Sequence, residues 1–161
     1  MNEPLSIHDG LPRDGHRLLQ VGGLLFLLGL LVGLGVPGFT VPRLALSTHL
    51  LGIMQGTFLM AAGLLWPKLR LTRSASRIGR GLGTYGCLAA WTANLLSAIW
   101  GAGNSMLPIA AGGARGSALQ EGVIRVLLVS AAFSLIALAV LILWGLRISP
   151  RAELSGQSAN R

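Results

Sequence analysis

His49 is the one ionisable side chain within an uncharged apolar run, Leu44–Trp66. A helix rises ~1.5 Å per residue and must cover ~30 Å of hydrocarbon, so this run is long enough to cross a bilayer. An imidazole placed there loses water and must find a partner. Packing alone does not call for it, and an intramembrane ionisable residue is a functional candidate by default. Two uses are open. The ring can hydrogen-bond a carbonyl across helices as simple glue, or one nitrogen can hold haem iron axially and leave the opposite position open. Ferric iron with an open position is a Lewis acid that weakens the bond between an oxygen and its carbon or nitrogen. That chemistry suits an isomerisation, which needs no net electron transfer. The sequence offers no nucleophile–base–carboxylate set, no phosphate loop and no clustered His for zinc. A single intramembrane His rules out a four-ligand non-haem site within one subunit. The lone Cys87 allows no intrachain disulfide and reads as a small buried thiol.

Few other residues can join His49. If the basic ends of the helices are set level, His49 lies ~9 Å along helix two and Asn94 ~10 Å along helix three, both counted from the less basic side. Ser97 is one turn beyond Asn94 on the same face, and Gln120 and Glu121 open helix four from that side. Gln55 lies deeper, on the flank of the His49 stripe. His49, Gly52, Gly56 and Gly63 share one helix face, and Gly79, Gly83, Gly86, Ala90, Asn94, Ser97 and Gly101 share another. Such small-residue stripes serve helix packing first. A flat cofactor also needs a wall free of side chains, so Gly52 and Gly56 are candidates to lie against one. Gln55 and Asn94 read equally well as interhelical glue or as substrate-orienting groups. Glu121 and Arg125, spaced i,i+4, are expected to form a helix-surface ion pair. Glu121 is nonetheless the only carboxylate between Asp14 and Glu153.

The elements that must position these residues follow from composition. Of 161 residues, 52% are hydrophobic and 11% charged, against ~25% charged in a soluble domain. Four uncharged runs, Leu18–Val36, Leu44–Trp66, Gly81–Gly101 and Val126–Leu146, each meet the length of a spanning helix. The net charge of +8 invites a nucleic-acid reading, but its distribution argues against one. Arg13 and Arg17 precede run one, Lys68, Arg70, Arg73, Arg77 and Arg80 separate runs two and three, and Arg147 and Arg151 follow run four. This is the positive-inside pattern, which orients a chain and favours anionic lipid. The expectation is an all-α integral membrane four-helix bundle, with N and C termini cytoplasmic. Its helices lie at about 18–36, 44–66, 77–101 and 120–146, within a domain spanning 16–147. A polar N-terminal segment, 1–15, and a polar tail, 148–161, flank it. Ser117 and Gln120 have capping-box spacing for the last helix. Trp66 fits an interfacial belt, while Trp91 lies deeper and can line an aromatic pocket.

The stretch Leu46-Ser47-Thr48-His49-Leu50-Leu51-Gly52, continuing to Gln55-Gly56 and Gly63-Leu64-Leu65-Trp66-Pro67, resembles the bacterial hydroxylaminobenzene mutases. So do Trp91-Thr92-Ala93-Asn94, the stretch Trp100-Gly101-Ala102-Gly103 with Pro108-Ile109-Ala110, and Ser117-Ala118-Leu119-Gln120-Glu121-Gly122. The likeness runs from about His16 to Arg147. It implies a membrane isomerase that converts hydroxylaminobenzene to 2-aminophenol, moving a hydroxyl from nitrogen to the ortho ring carbon. A more distant similarity is to styrene oxide isomerase, a four-helix membrane enzyme that is a trimer with ferric haem b between subunits. His49 matches that family's iron-binding His. Gln55 falls where it has an active-site Asn. Asn94 falls in its Trp-x-Asn region, here spaced Trp-x-x-Asn. Its active-site Tyr has no match, with Ser97 or Ala98 near the place. The missing Tyr favours hydroxyl transfer over epoxide isomerisation. The resemblance thus implies haem b on His49, a small aromatic substrate oriented by Gln55 and Asn94, membrane lipid as surroundings and a homo-oligomer. The alternatives are an aryl epoxide isomerase and a non-catalytic bundle in which His49 is glue. A cytochrome-type carrier would need a second intramembrane His.

Overall fold

The computed structural model describes residues 13–147. They are all-helical: α1 (Arg13–Leu34), α2 (Pro42–Leu65), α3 (Arg73–Trp100), a one-turn α4 (Pro108–Ala111) and α5 (Ala118–Gly145). The four long helices alternate in direction. The polar segment expected at 1–15 and the tail at 148–161 lie outside the described residues, except for 13–15, which already belong to α1.

α1 starts earlier than its apolar run because its first turn is tied to α3. Asp14 Oδ1 pairs with Arg80 Nε at 2.8 Å, and Asp14 Oδ2 accepts from Ser76 Oγ at 2.6 Å. Trp66 Nε1 donates to the same Ser76 Oγ at 2.9 Å. Trp66 is therefore a core residue, 3% exposed, and not the interfacial belt residue expected. α3 also starts earlier than expected, at Arg73, because the Thr72 hydroxyl accepts from Ala75 N and caps it.

Glycines set the α1–α2 contact. Gly15, Gly22 and Gly29 meet Gly63, Gly56 and Gly52 backbone to backbone. A Cβ on Gly22 would lie 2.7 Å from the Gly56 carbonyl oxygen, and one on Gly52 would lie 2.7 Å from Gly29 Cα. In lipid no hydrophobic force drives two helices together, so close van der Waals contact through small residues supplies the attraction. The α3–α5 contact uses the other half of the device. Leu141, Leu138 and Leu135 of α5 fill the notches above Gly79, Gly83 and Gly86.

α3 is the inner helix, touching α1, α2 and α5. Three segments, Arg13–Leu34, Pro42–Lys68 and Ala118–Gly145, are long and apolar enough to cross a membrane. α3 is not among them, although a spanning helix was expected there. Its central position explains the difference: it carries Gly, Ala, Ser and Asn where its neighbours carry Leu, because other helices cover it.

At one end of the bundle lie the start of α1, the 66–72 connection and the end of α5, which Arg70 N joins by donating to Gly145 O. At the other end, Thr40 Oγ1 donates to Ile99 O across the two loops. Gly101 ends α3 in the left-handed region, φ 62°, where a side chain would be strained.

Candidate functional site

His49 sits on the face of α2 that meets α1. Its Nδ1 lies 2.9 Å from the carbonyl oxygen of Gly29. A carbonyl can only accept, so Nδ1 carries the proton in this bond, and the Nε2 lone pair is the one left for a ligand. Among the described residues Nε2 makes no hydrogen bond, and the ring as a whole is half-buried. The floor beneath the ring is Gly33: a Cβ there would collide with Nδ1 and come within 2.7 Å of Cε1. Glycines one helical turn apart, Gly29 and Gly33, thus aim the imidazole, one as acceptor and one as absent side chain. Sequence reasoning missed both. The available signal was the seven-residue spacing Gly15, Gly22, Gly29 in α1, which marks the face that meets α2.

The wall beside His49 is not open. Gly52 packs on Gly29 and on the indole of Trp91, and Gly56 packs on Gly22 and Phe26. The expectation that these two glycines lie against a flat cofactor is corrected in that α1 covers them. Their small size brings helix backbones together and so places Gly29 under the imidazole.

Asn94 lies at the level of His49, between the Gly52–Trp91 contact and the cluster joining Ala45 to Ala98. It is buried, and its Nδ2 donates to Ala90 O of its own helix at 3.0 Å. Ser97 is fully buried and does the same to Ala93 O at 2.8 Å. Both hydroxyl and amide are turned back onto α3, so the polar level predicted from depth exists without a direct bond to His49. Thr48, also fully buried, donates to Leu44 O.

Two polar atoms in this region are enclosed without a partner: Gln55 Oε1 and Trp91 Nε1. One is an acceptor on α2, less than a turn from Gly52. The other is a donor on α3 beside Gly52. Leaving a buried polar atom unpaired costs ~1–3 kcal/mol, so such atoms persist mainly where something else uses them.

Gln120 and Glu121 do other work. Gln120 Oε1 accepts from Ser117 N at 2.8 Å while Ser117 Oγ accepts from Gln120 N, the capping box that the spacing predicts. The expected Glu121–Arg125 ion pair does not form. Glu121 Oε1 accepts from Gly103 N at 2.7 Å and Gly116 N at 3.2 Å, and Oε2 accepts from Ser105 Oγ at 2.7 Å and Ser105 N at 3.2 Å. Four directed donors outbid one exposed guanidinium. The carboxylate knots the 101–117 loop and has no proton to give.

The styrene oxide isomerase family model matches residues 14–147, nearly all of the described chain. Hydroxylaminobenzene mutase HabB of Ectopseudomonas oleovorans is 50% identical over 134 residues, 83% of this chain and 82% of its own. The chain belongs to this family. Hydroxylaminobenzene mutase HabA of the same organism is 41% identical over 129 residues, 80% of this chain and 96% of its own. No solved structure matches the chain. The protein is accordingly an isomerase of the mutase type, and the mutase relatives fit it better than the epoxide reading does.

Proposed function

We propose that this mutase converts aryl hydroxylamines to 2-aminophenols by intramolecular hydroxyl transfer within a bacterial inner membrane. The observation that carries the site is the half-buried His49 ring, fixed by its Nδ1 bond to Gly29 O. A metal-ligating His commonly donates its other nitrogen to a carbonyl in this way, which fixes the ring and makes the ligating nitrogen more basic. The residues present therefore fit a haem, and His49 would hold the iron of ferric haem b through Nε2. When bound, the haem supplies a Lewis acid at the substrate's N–O oxygen. Gln55 Oε1 would accept from the substrate amine N–H, and Trp91 Nε1, the unpaired donor beside Gly52, would be free to donate to a substrate acceptor. Asn94, at the level of His49, bounds the ring-binding space. The apolar surround keeps water from trapping the cationic ring before its own oxygen returns.

Topology supports four spans. If α2 and α5 both cross from the loop end to the Arg-rich end, α3 must cross back between them, whatever its own hydropathy. The Arg-rich end is then cytoplasmic, with both termini. The half-buried His49 ring and the exposed apolar faces of the long helices favour a homo-oligomer as the working form, a trimer on the pattern of styrene oxide isomerase, with lipid around it.

Oxygen-18 labelling tests the reaction: label carried by the hydroxylamine is expected in the aminophenol, and solvent oxygen there would sink intramolecular transfer. The absorption spectrum of purified protein tests the haem: a Soret band lost in His49→Ala is expected, whereas full activity without one removes the cofactor. Full activity in His49→Ala removes the site.

A further inference from the structure

At the Arg-rich end a cavity of about 700 Å³ opens between the start of α1, the start of α3 and the 66–71 connection. Five arginines line it: Arg13 and Arg17, one turn apart on α1, and Arg73, Arg77 and Arg80, spaced along one face of α3. Among the described residues the only carboxylate on the wall is Asp14, and both its oxygens are taken, one by Arg80 and one by Ser76. Arg13, Arg17, Arg73 and Arg77 therefore meet in one space with no ion pair among the described residues.

Orientation of the chain in a membrane does not require this arrangement. Lys68 and Arg70 lie at the same end, satisfy the same charge rule and do not line the cavity. Four like charges around one volume repel each other unless an anion sits between them. Guanidinium groups suit an oxyanion well, since each presents paired N–H donors to two oxygens. The far wall is apolar and rigid: the Trp66 indole is pinned by its bond to Ser76, with Leu69 and Leu71 beside it.

We propose that this cavity is a phosphate-binding site that ties the start of α1 to the start of α3. The phosphate belongs to an anionic phospholipid headgroup or to free phosphate. The site is separate from His49 and independent of the reaction proposed above.

The test is thermal unfolding of the full chain, purified in a neutral detergent and stripped of lipid. One arm titrates sodium phosphate against sodium chloride of equal ionic strength. The other adds phosphatidylglycerol against phosphatidylcholine. A saturable rise in Tm is expected in at least one arm, and the arm that responds names the source. R17Q/R77Q is expected to weaken the apparent affinity by roughly tenfold or more, since each basic residue near an anionic headgroup contributes measurably. K68Q/R70Q, which removes the same charge from the same end, is expected to keep it. If the double variant does not fold, the single variants R17Q and R77Q read the same affinity. A flat response in both arms overturns the site, and so does equal weakening in K68Q/R70Q.

Discussion

A methyl group on Gly33 would reach the His49 ring before anything else. Gly33 is thereby part of the site without carrying any chemistry. Gly33→Ala is expected to tilt the imidazole off the Gly29 carbonyl and cut kcat/KM by roughly a hundredfold, the scale of a 1 Å misplacement. Steady-state kinetics on folded protein would check it, with Gly23→Ala as the control, since nothing lies within 4 Å of a Cβ there. Parental turnover in folded Gly33→Ala would show that the ring's aim is irrelevant. His49 itself was legible in the sequence because ionisable groups are costly in an apolar run. Gly29 and Gly33 were not, because a backbone acceptor and a missing side chain leave no residue-type signal. Glu121 was misread for a related reason. Its i,i+4 spacing to Arg125 is local and visible, while the amides of Gly103, Ser105 and Gly116 that capture it come together only in the folded loop.

At the scale of elements, α1 and α2 are joined by glycines that cannot grow. Gly22→Ala drives a methyl to 2.7 Å from Gly56 O and 2.9 Å from Met60 N, both backbone atoms that cannot swing aside. It is expected to destabilise the bundle by about 1–3 kcal/mol, as overpacking does. Gly23→Ala, one residue along and into open space, is expected to stabilise it by up to ~1 kcal/mol through helix propensity. Unfolding in mixed micelles separates the two, and equal effects would mean the glycine face is not the contact. The small-residue stripe of α2 was visible in sequence, but its partner was not. A stripe that admits a helix also admits a cofactor, and only α1 lying along it decides. α3 shows the converse. Its length and its Ala90, Asn94 and Ser97 pattern marked a helix, yet its low apolarity follows from being covered on several sides.

At the scale of the molecule, the outer faces of α1, α2 and α5 carry exposed Leu24, Leu31, Met54, Phe58, Phe133 and Val140. Lipid or other copies of the chain must cover them. The His49 ring is only half-buried within one chain, so the proposed site leaves room for a neighbour to complete it. Purified protein is expected to run as an oligomer in mild detergent, and turnover to fall as a harsher detergent separates the chains and to return on reassembly. Activity that tracks the monomer instead would place the whole reaction inside one bundle. The alternating direction of the helices was readable from run lengths and charge. The network of Trp66, Ser76, Asp14 and Arg80 that closes one end was not, because its members come from three separate parts of the sequence. The short 35–41 connection and the glycine seam also bear on how the protein is made. α1 and α2 emerge before α3 and can pair at once as a hairpin, with the His49 Nδ1–H already donated to the Gly29 carbonyl. Trp91 and Asn94 arrive later on α3. Biosynthesis can thus set the imidazole before α3 packs beside it, and the proposed cofactor, if added during synthesis, would meet a ready nitrogen on a half-built enzyme.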